Sequence, residues 1–458
     1  VKVSTETENL PIDNIIDDVR ALLEAEDSSA AVRLLAPLHP SDISMLVERL
    51  EEALAIKVFG LLDADVASET LLELDGHLRE VIVASMSSDD LVEVVDEMAT
   101  DDKADVISEL PSEDAKKVLE GIEWKEAKVV QKLLRYPEDT AGGKMQAELV
   151  AISESATVGE TIEEVRKRTE DVENIACVFV LDSESRLRGA VSLDKLILAR
   201  VDEPIKAIAD TNIMRVKTSI DQEEVGRMFQ RYDLLSLAVV DDEERLVGRI
   251  TVDDMVDVIE SEIFEDFYRM ASLNKGERAL DPPRRSFRMR SPWLLLNLLT
   301  AFAAASVVKV FESTIESLVI LAVLMPVVAG LGGNAATQTV TVLVRGLALG
   351  EFELRGAKKI LIKEALVGLS NGLLIGAVAA IASVLFGADY MIGLLLFLAM
   401  TASLLIAGLG GATIPLILKW LKVDPALSAT IFVTACTDIG GFFTFLGLAA
   451  LFMKLGLI

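Results

Sequence analysis

Apolar positions change rhythm three times along the chain. Up to about residue 130 they recur at helical spacing in short runs, punctuated by Ser88-Asp-Asp, Thr100-Asp-Asp and Ser112-Glu-Asp, which start units twelve residues apart. A hydroxyl at each N-cap with acids in the first turn suits a helix start, so this part predicts short helices stacked as a small superhelical array. From about Lys144 to Glu260 strands and helices alternate, and the pattern occurs twice. Phe179 to Asp182 and Gly189 to Lys195 are answered by Ala238 to Asp241 and Gly248 to Asp254, 59 residues later. Each copy predicts an apolar strand, a turn, a second strand and a helix opening at Ser or Thr. After Arg290 come five apolar runs, near 292–310, 315–344, 365–386, 390–418 and 425–457. Each reaches the roughly 20 residues that a helix needs to cross a bilayer.

Charge follows the same division. Of 73 acidic and 44 basic side chains, 64 acids and 31 bases precede residue 281, so that part carries −33 and the remainder +4. Such an acidic domain excludes nucleic acid as a partner and is repelled by anionic lipid headgroups, which leaves the apolar part to hold the chain at the membrane. Two cysteines and two histidines exclude a disulfide scaffold or a zinc site. No nucleophile–base pair, phosphate-binding glycine loop or metal triad points to an enzyme. The opening VKVSTETENLP is polar, has no apolar leader and begins without a methionine, as a trimmed chain would. Arg284, Arg285, Arg288 and Arg290, then Arg345, Arg355, Lys358, Lys359 and Lys363, then Lys419 and Lys422 all fall on one side of the predicted spans. Positive charge stays inside, so the N-terminal part is expected in the cytosol of a plasma-membrane protein with its C-terminus outside.

Within the spans, Asn334, Thr337, Gln338, Thr341 and Arg345 form one polar stripe at helical spacing. Pro326 with the run Ala329 to Gly333, and the run Ala407 to Gly411 with Pro415, are paired interruptions of the kind that line transport pathways. Close helix packing through small residues explains the glycines equally well. In the fifth run Thr430, Thr434, Thr437, Asp438 and Gly441 share a face, with Asp438 mid-span. A carboxylate there costs about 3 kcal/mol unless water, a partner or an ion meets it. An ion site is the functional reading; an ion pair with Arg345 or a protonated acid is the structural one. Asp438, Thr434 and Thr437 offer oxygen only, which suits a small hard cation, and helical phase turns Cys436 away. On the soluble side Asp101, Asp102 and Asp105 crowd one turn, with more charge than a cap requires. An acidic helix is expected between Met255 and Pro282.

The duplicated copies resemble a tandem cystathionine-β-synthase (CBS) pair, a regulatory module that often binds adenosine nucleotides such as ATP. Gly248, Thr251 and Asp254 match its signature in the second copy. In the first, Ser192 is present but Lys195 stands where the ribose-binding Asp belongs, and Asp194 comes one residue early. The order of parts, with PVVAGLGGNAATQ over 326–338 and TACTDIGGFF over 434–443, resembles the MgtE family of magnesium channels. The resemblance implies an acidic helical domain (1–135), the CBS pair (136–260), a connecting plug helix (255–282) and an all-α transmembrane domain (283–458). It further implies a homodimer in the lipid membrane with the pore on its two-fold axis, magnesium held by Asp438 with Thr434 and Thr437, and a path lined by Asn334, Thr337, Gln338, Thr430 and Gly441. Asp221, Glu223, Asp233, Asp254, Asp257, Glu262, Glu265 and Asp266 match the family's cytosolic magnesium sensors. An ion-coupled secondary transporter, or a membrane-anchored nucleotide sensor, are the alternatives.

Overall fold

The computed structural model describes residues 12–169, 172, 174–273, 277, 281–352, 356–426 and 429–458. The opening segment and Arg355 lie outside them. Two compact units divide the chain, Val1–Val258 and Ile259–Ile458.

In the first unit ten short helices run from Ile12–Glu24 to Trp124–Leu133, as the periodicity predicts. The repeat has a different cause from the one expected. Ser88, Thr100 and Ser112 are the first helical residues, and the N-caps are Ser87, Ala99 and Pro111. Only Ser87 caps with its side chain, accepting from the Asp90 N–H. The Thr100 hydroxyl is released for a long-range bond described below. Buried Val94, Val95, Ile107 and Val130 belong to one core with Leu237, Val239, Ile250 and Met255, so the helical array and the second CBS copy fold as one body.

Strands β1 (Ala151–Ser153), β2 (Cys177–Leu181) and β3 (Leu187–Ser192) form the first sheet. Strands β4 (Arg215–Lys217), β5 (Ser236–Val240) and β6 (Leu246–Thr251) form the second. In each, the first pair is parallel and the second antiparallel. The duplication extends to the turn. Asp182 Oδ1 accepts from the Glu184 and Arg186 N–H groups, Asp241 Oδ1 from those of Glu243 and Arg245, and Ser185 and Glu244 both take positive φ. Phe179 and Ala190 pack with Ala238 and Val240 between the copies. The acidic helix that follows spans Val252–Met270, ending well short of Pro282, and the division between units falls within it.

The second unit contains five helices long and apolar enough to cross a membrane: Pro283–Val310, Ile320–Ala348, Ala357–Leu385, Tyr390–Trp420 and Thr430–Lys454, numbered as spans one to five. Leu395, Ala399 and Leu404 of span four lie in a core with Leu321 and Val328 of span two and Phe445 and Ala449 of span five. Spans two and four run unbroken through Pro326 and Pro415, so the expected helix interruptions are absent. Their glycines divide by role. A Cβ on Gly408 would stand 2.7 Å from the Glu364 carbonyl, and one on Gly411 2.9 Å from that of Ala336. These two permit close packing. Gly330 and Gly333 face open space.

Candidate functional site

An electronegative cluster forms where the helix Thr100–Glu109 meets the second CBS copy, wholly within the first unit. Thr100 donates its hydroxyl to Glu148 Oε2 at 2.7 Å and accepts the Ala147 N–H at 2.9 Å. Lys144 Nζ reaches Asp105 Oδ2 at 2.9 Å. Thr251 donates to Asp254 Oδ2 at 2.6 Å, and Gln146 Nε2 lies 3.5 Å from the same oxygen. Asp101 is 6% exposed and its buried Oδ1 has no hydrogen-bond partner.

Electrostatics there is one-sided. Burial, then the charges of Asp102, Asp254 and Glu148, hold the Asp101 carboxyl well above the usual carboxylate range. Burial and the charges of Asp254 and Asp105 push Asp102 up to about 7, with Lys144 opposing. Burial also raises Asp254, against the Thr251 hydrogen bond. Groups so placed take up protons unless a cation offsets their repulsion. The orphaned Asp101 oxygen and the all-oxygen donors fit a hard divalent ion; among the described residues, however, no three His, Cys, Asp or Glu side chains close on a common point.

The other acidic residues expected from sequence to bind a regulatory cation lie apart. Asp221 caps the helix Gln222–Tyr232 through the Glu223 N–H, Glu223 meets Arg227, and Asp233 ends that helix in a left-handed conformation. In the second CBS copy the signature residues Thr251 and Asp254 are bonded to each other, and the Asp254 charge also acts on Asp101 and Asp102, which places it in the acidic cluster. In the first copy Asp194 takes the partner role beside Ser192, and the Ser192 hydroxyl holds it below the usual carboxylate range. Asp257, Glu262, Glu265 and Asp266 all ride on the acidic helix.

In the membrane, Asn334, Thr337, Gln338, Thr341 and Arg345 are all exposed on span two of the single chain. Thr337 and Thr341 donate their hydroxyls to the Gly333 and Thr337 carbonyls of the same helix, whereas Asn334, Gln338 and above all Arg345 are costly against hydrocarbon unless water or a second surface meets them. Asp438 and Thr434 of span five are half-buried. Thr437 is 1% exposed, with its hydroxyl donated to the Thr434 carbonyl, and Thr430 donates to the Met270 carbonyl. Gly441 packs near Ser403 and Val328. Thr437 and Gly441 thus lie in helix packing in the single chain.

Sequence reasoning missed several of these neighbours. Lys144, Gln146 and Glu148 precede the first strand and carry no motif; only the fold brings them to Asp105, Asp254 and Thr100. It also missed Glu364 of span three, 4% exposed, which pairs with Lys363 and accepts from Thr339 of span two. Glu364 directly precedes the third apolar run, beside Lys363, and only the helix Ala357–Leu385, which begins before that run, carries it into the packing of the spans. A cavity of about 170 Å³ between spans two, three and four is lined by Glu364, Lys363, Gln338 and Asn371.

These features define a multi-pass membrane protein whose acidic, CBS-bearing part precedes its spans. Residues 325–448 match the family model of the MgtE divalent cation transporter, 38–139 the MgtE intracellular N domain, and 142–202 and 205–261 the CBS domain. The magnesium transporter MgtE of Thermus thermophilus is 36% identical over 332 residues, covering 71% of this chain and 72% of that one. That of Bacillus subtilis is 28% identical over 446 residues, covering 97% and 99%. A crystal structure of the cytosolic domain of the Mg2+ channel MgtE in complex with ATP matches with a TM-score of 0.51 and 33% identity, over 53% of this chain and 99% of that one. The chain belongs to the MgtE family. Its named relatives are transporters rather than enzymes.

Proposed function

We propose that this protein is a homodimeric Mg2+ channel for uptake across the cell membrane, shut by Mg2+ at its acidic cytosolic residues. The observation that carries this reading is Asp438, half-buried mid-way along an apolar span and accompanied by an exposed polar stripe on span two. Two copies of Asp438 across a two-fold axis supply the one or two carboxylates through which hydrated Mg2+ is usually held. Asn334, Thr337 and Gln338 then face water in the shared path rather than lipid. The relatives' names support Mg2+ as the cargo.

Gating rests on the acidic residues. Without cations, Asp101, Asp102 and Asp254 repel one another; Mg2+ removes that repulsion and stabilises the packing of the helical array on the CBS pair. Asp254 opens the acidic helix whose other end lies beside the spans, so the same helix carries the effect toward the pore. Moving a gate from 1:99 to 99:1 takes about 5.5 kcal/mol, whereas one ion at ten times its dissociation constant supplies about 1.4. Several ions per subunit are therefore required, which the spread of acids from Asp101 to Asp266 provides. Nucleotide binding, if it follows the ATP-bound relative, falls to the second CBS copy, where Thr251 and Asp254 stand ready.

The test is Mg2+ flux into liposomes at low and millimolar Mg2+ on the cytosolic face. Wild type closes at millimolar Mg2+, and a variant with Asp257, Glu262 and Asp266 neutralised stays open. Unchanged closure in that variant removes the helix from the sensor. A coupled transporter is the second reading, favoured by the buried Glu364 carboxylate in span three. Unitary current steps exclude it, and a proton-driven saturable flux would establish it.

A further inference from the structure

Arg269 sits in the last turn of the acidic helix and pairs with Glu265 one turn earlier and with Asp424, in the connection between spans four and five. Asp424 is a two-sided group. Its Oδ1 accepts the Ala426 N–H at 2.8 Å, fixing the turn that leads into span five, while Oδ2 accepts from Arg269. One residue beyond Arg269, the Met270 carbonyl accepts the Thr430 hydroxyl at 2.7 Å, and Met270 packs against the apolar cluster that holds Val340 of span two and Val433 of span five. A charge pair, a hydrogen bond and an apolar contact thus fasten the helix end to the start of the span that carries Asp438. All three lie within the second unit.

From this arrangement we infer that Arg269 and Asp424 form a latch that sets how readily the channel closes. Arg269 is a positioning residue: it touches no permeating ion, and acts by holding the helix end against the entrance of span five. Two features make the pair suited to the role. The guanidinium offers separate N–H groups to Glu265 and Asp424, so it joins the acidic helix to the turn before span five. Asp424 is already oriented by the Ala426 N–H, so little freedom is lost when Arg269 docks. Breaking the pair removes one of the three fastenings of the helix end without altering Asp438 or the polar stripe of span two. The inference rests on the gating reading above and identifies the contact through which that gate holds the pore.

The experiment compares the full-length wild type with Arg269→Gln, Asp424→Asn, the double variant and Arg269→Lys, each in liposomes, reading Mg2+ flux against Mg2+ on the cytosolic face. Asn at 424 keeps an oxygen for the Ala426 N–H, so the turn is retained. Each neutralised variant is expected to need roughly tenfold more Mg2+ for half-closure, the scale of one charge-assisted hydrogen bond. The double variant should shift no further than either single one, and Arg269→Lys, which keeps the charge without the guanidinium fork, should shift less than Arg269→Gln, with flux at zero cytosolic Mg2+ equal in all. Half-closure within twofold of wild type in both single variants, or shifts that multiply in the double variant, overturns the latch while leaving the gate intact. A wild type that does not close at all overturns the gating reading and the latch with it.

Discussion

Thr251 donates its hydroxyl to Asp254 at 2.6 Å, which makes the last residue of the second CBS signature a member of the same electronegative group as Asp101 and Asp102. One carboxylate therefore belongs both to the CBS signature and to the acidic cluster, and it stands in the first turn of the helix Val252–Met270. Asp101→Asn removes the orphaned, buried oxygen charge and one source of repulsion. In Mg2+-free buffer it should protect the full-length protein from proteolysis before residue 258 more than wild type is protected. The Mg2+ needed for half-protection in wild type should have little further effect in the variant. Limited proteolysis across a Mg2+ series reads both.

The same group sets a pH dependence. Asp102 has a folded value of about 7 against 3.8 for the free acid, and burial is the first cause. A carboxyl raised on folding favours the packed state below its unfolded value, and that contribution is lost as pH rises through the folded value. With chelator present, packing of the helical array on the CBS pair should loosen as pH rises from 3.8 towards about 7 and level off above it. Millimolar Mg2+ should flatten the change, and Asp102→Asn should reduce it. Hydrogen-exchange protection of the Thr100–Glu109 amides, taken relative to their intrinsic rates, is the readout, and protection that stays level between 3.8 and about 7 in wild type contradicts the assignment.

Lys103, on the same helix, is 2% exposed and pairs with Glu126, which is 38% exposed. Removing Glu126 leaves a buried ammonium unpaired, whereas Lys103→Met replaces it with an apolar chain of similar length. Glu126→Ala should destabilise by about 1–3 kcal/mol and Lys103→Met by less than about 1.5. Urea unfolding followed by circular dichroism separates them, and the reverse order would contradict burial of the ammonium.

Glycines in the spans make a paired prediction. Gly411→Val forces a side chain against Ala336 and Thr339 and should cost roughly 1–3 kcal/mol, seen as lost monodisperse protein in detergent. Gly333→Ala meets nothing within 4 Å in the single chain and should leave the fold intact. A change in its flux with an unchanged elution profile would mark it as facing the path.

Long-period and two-fold patterns are readable in the sequence because they are local. The 59-residue duplication reappears in the strands, the Asp-capped turns and the positive φ of Ser185 and Glu244. The five spans follow from uninterrupted apolar length. Sequence misleads where a local rule has two solutions. Thr100 and Ser112 suit an N-cap but stand one residue inside their helices, Thr100 because its hydroxyl is spent on Glu148, 48 residues away. Glycine runs suit broken helices, but Gly408 and Gly411 serve close packing in unbroken ones. Glu148, Gln146, Lys144 and Asp424 are invisible in the sequence because their roles depend on partners far away in the chain. Asp438 stands out by its cost alone: a carboxylate in an apolar span demands a partner, a proton or an ion wherever the helix packs.

The most direct measurement is Mg2+ influx into liposomes carrying the purified protein, wild type beside Asp438→Asn, with Mg2+ on the cytosolic face kept low. A Mg2+ pathway through span five predicts robust flux in wild type and its loss in the variant, with both proteins eluting alike in detergent. Equal flux in the two would place the pathway elsewhere and contradict the central claim.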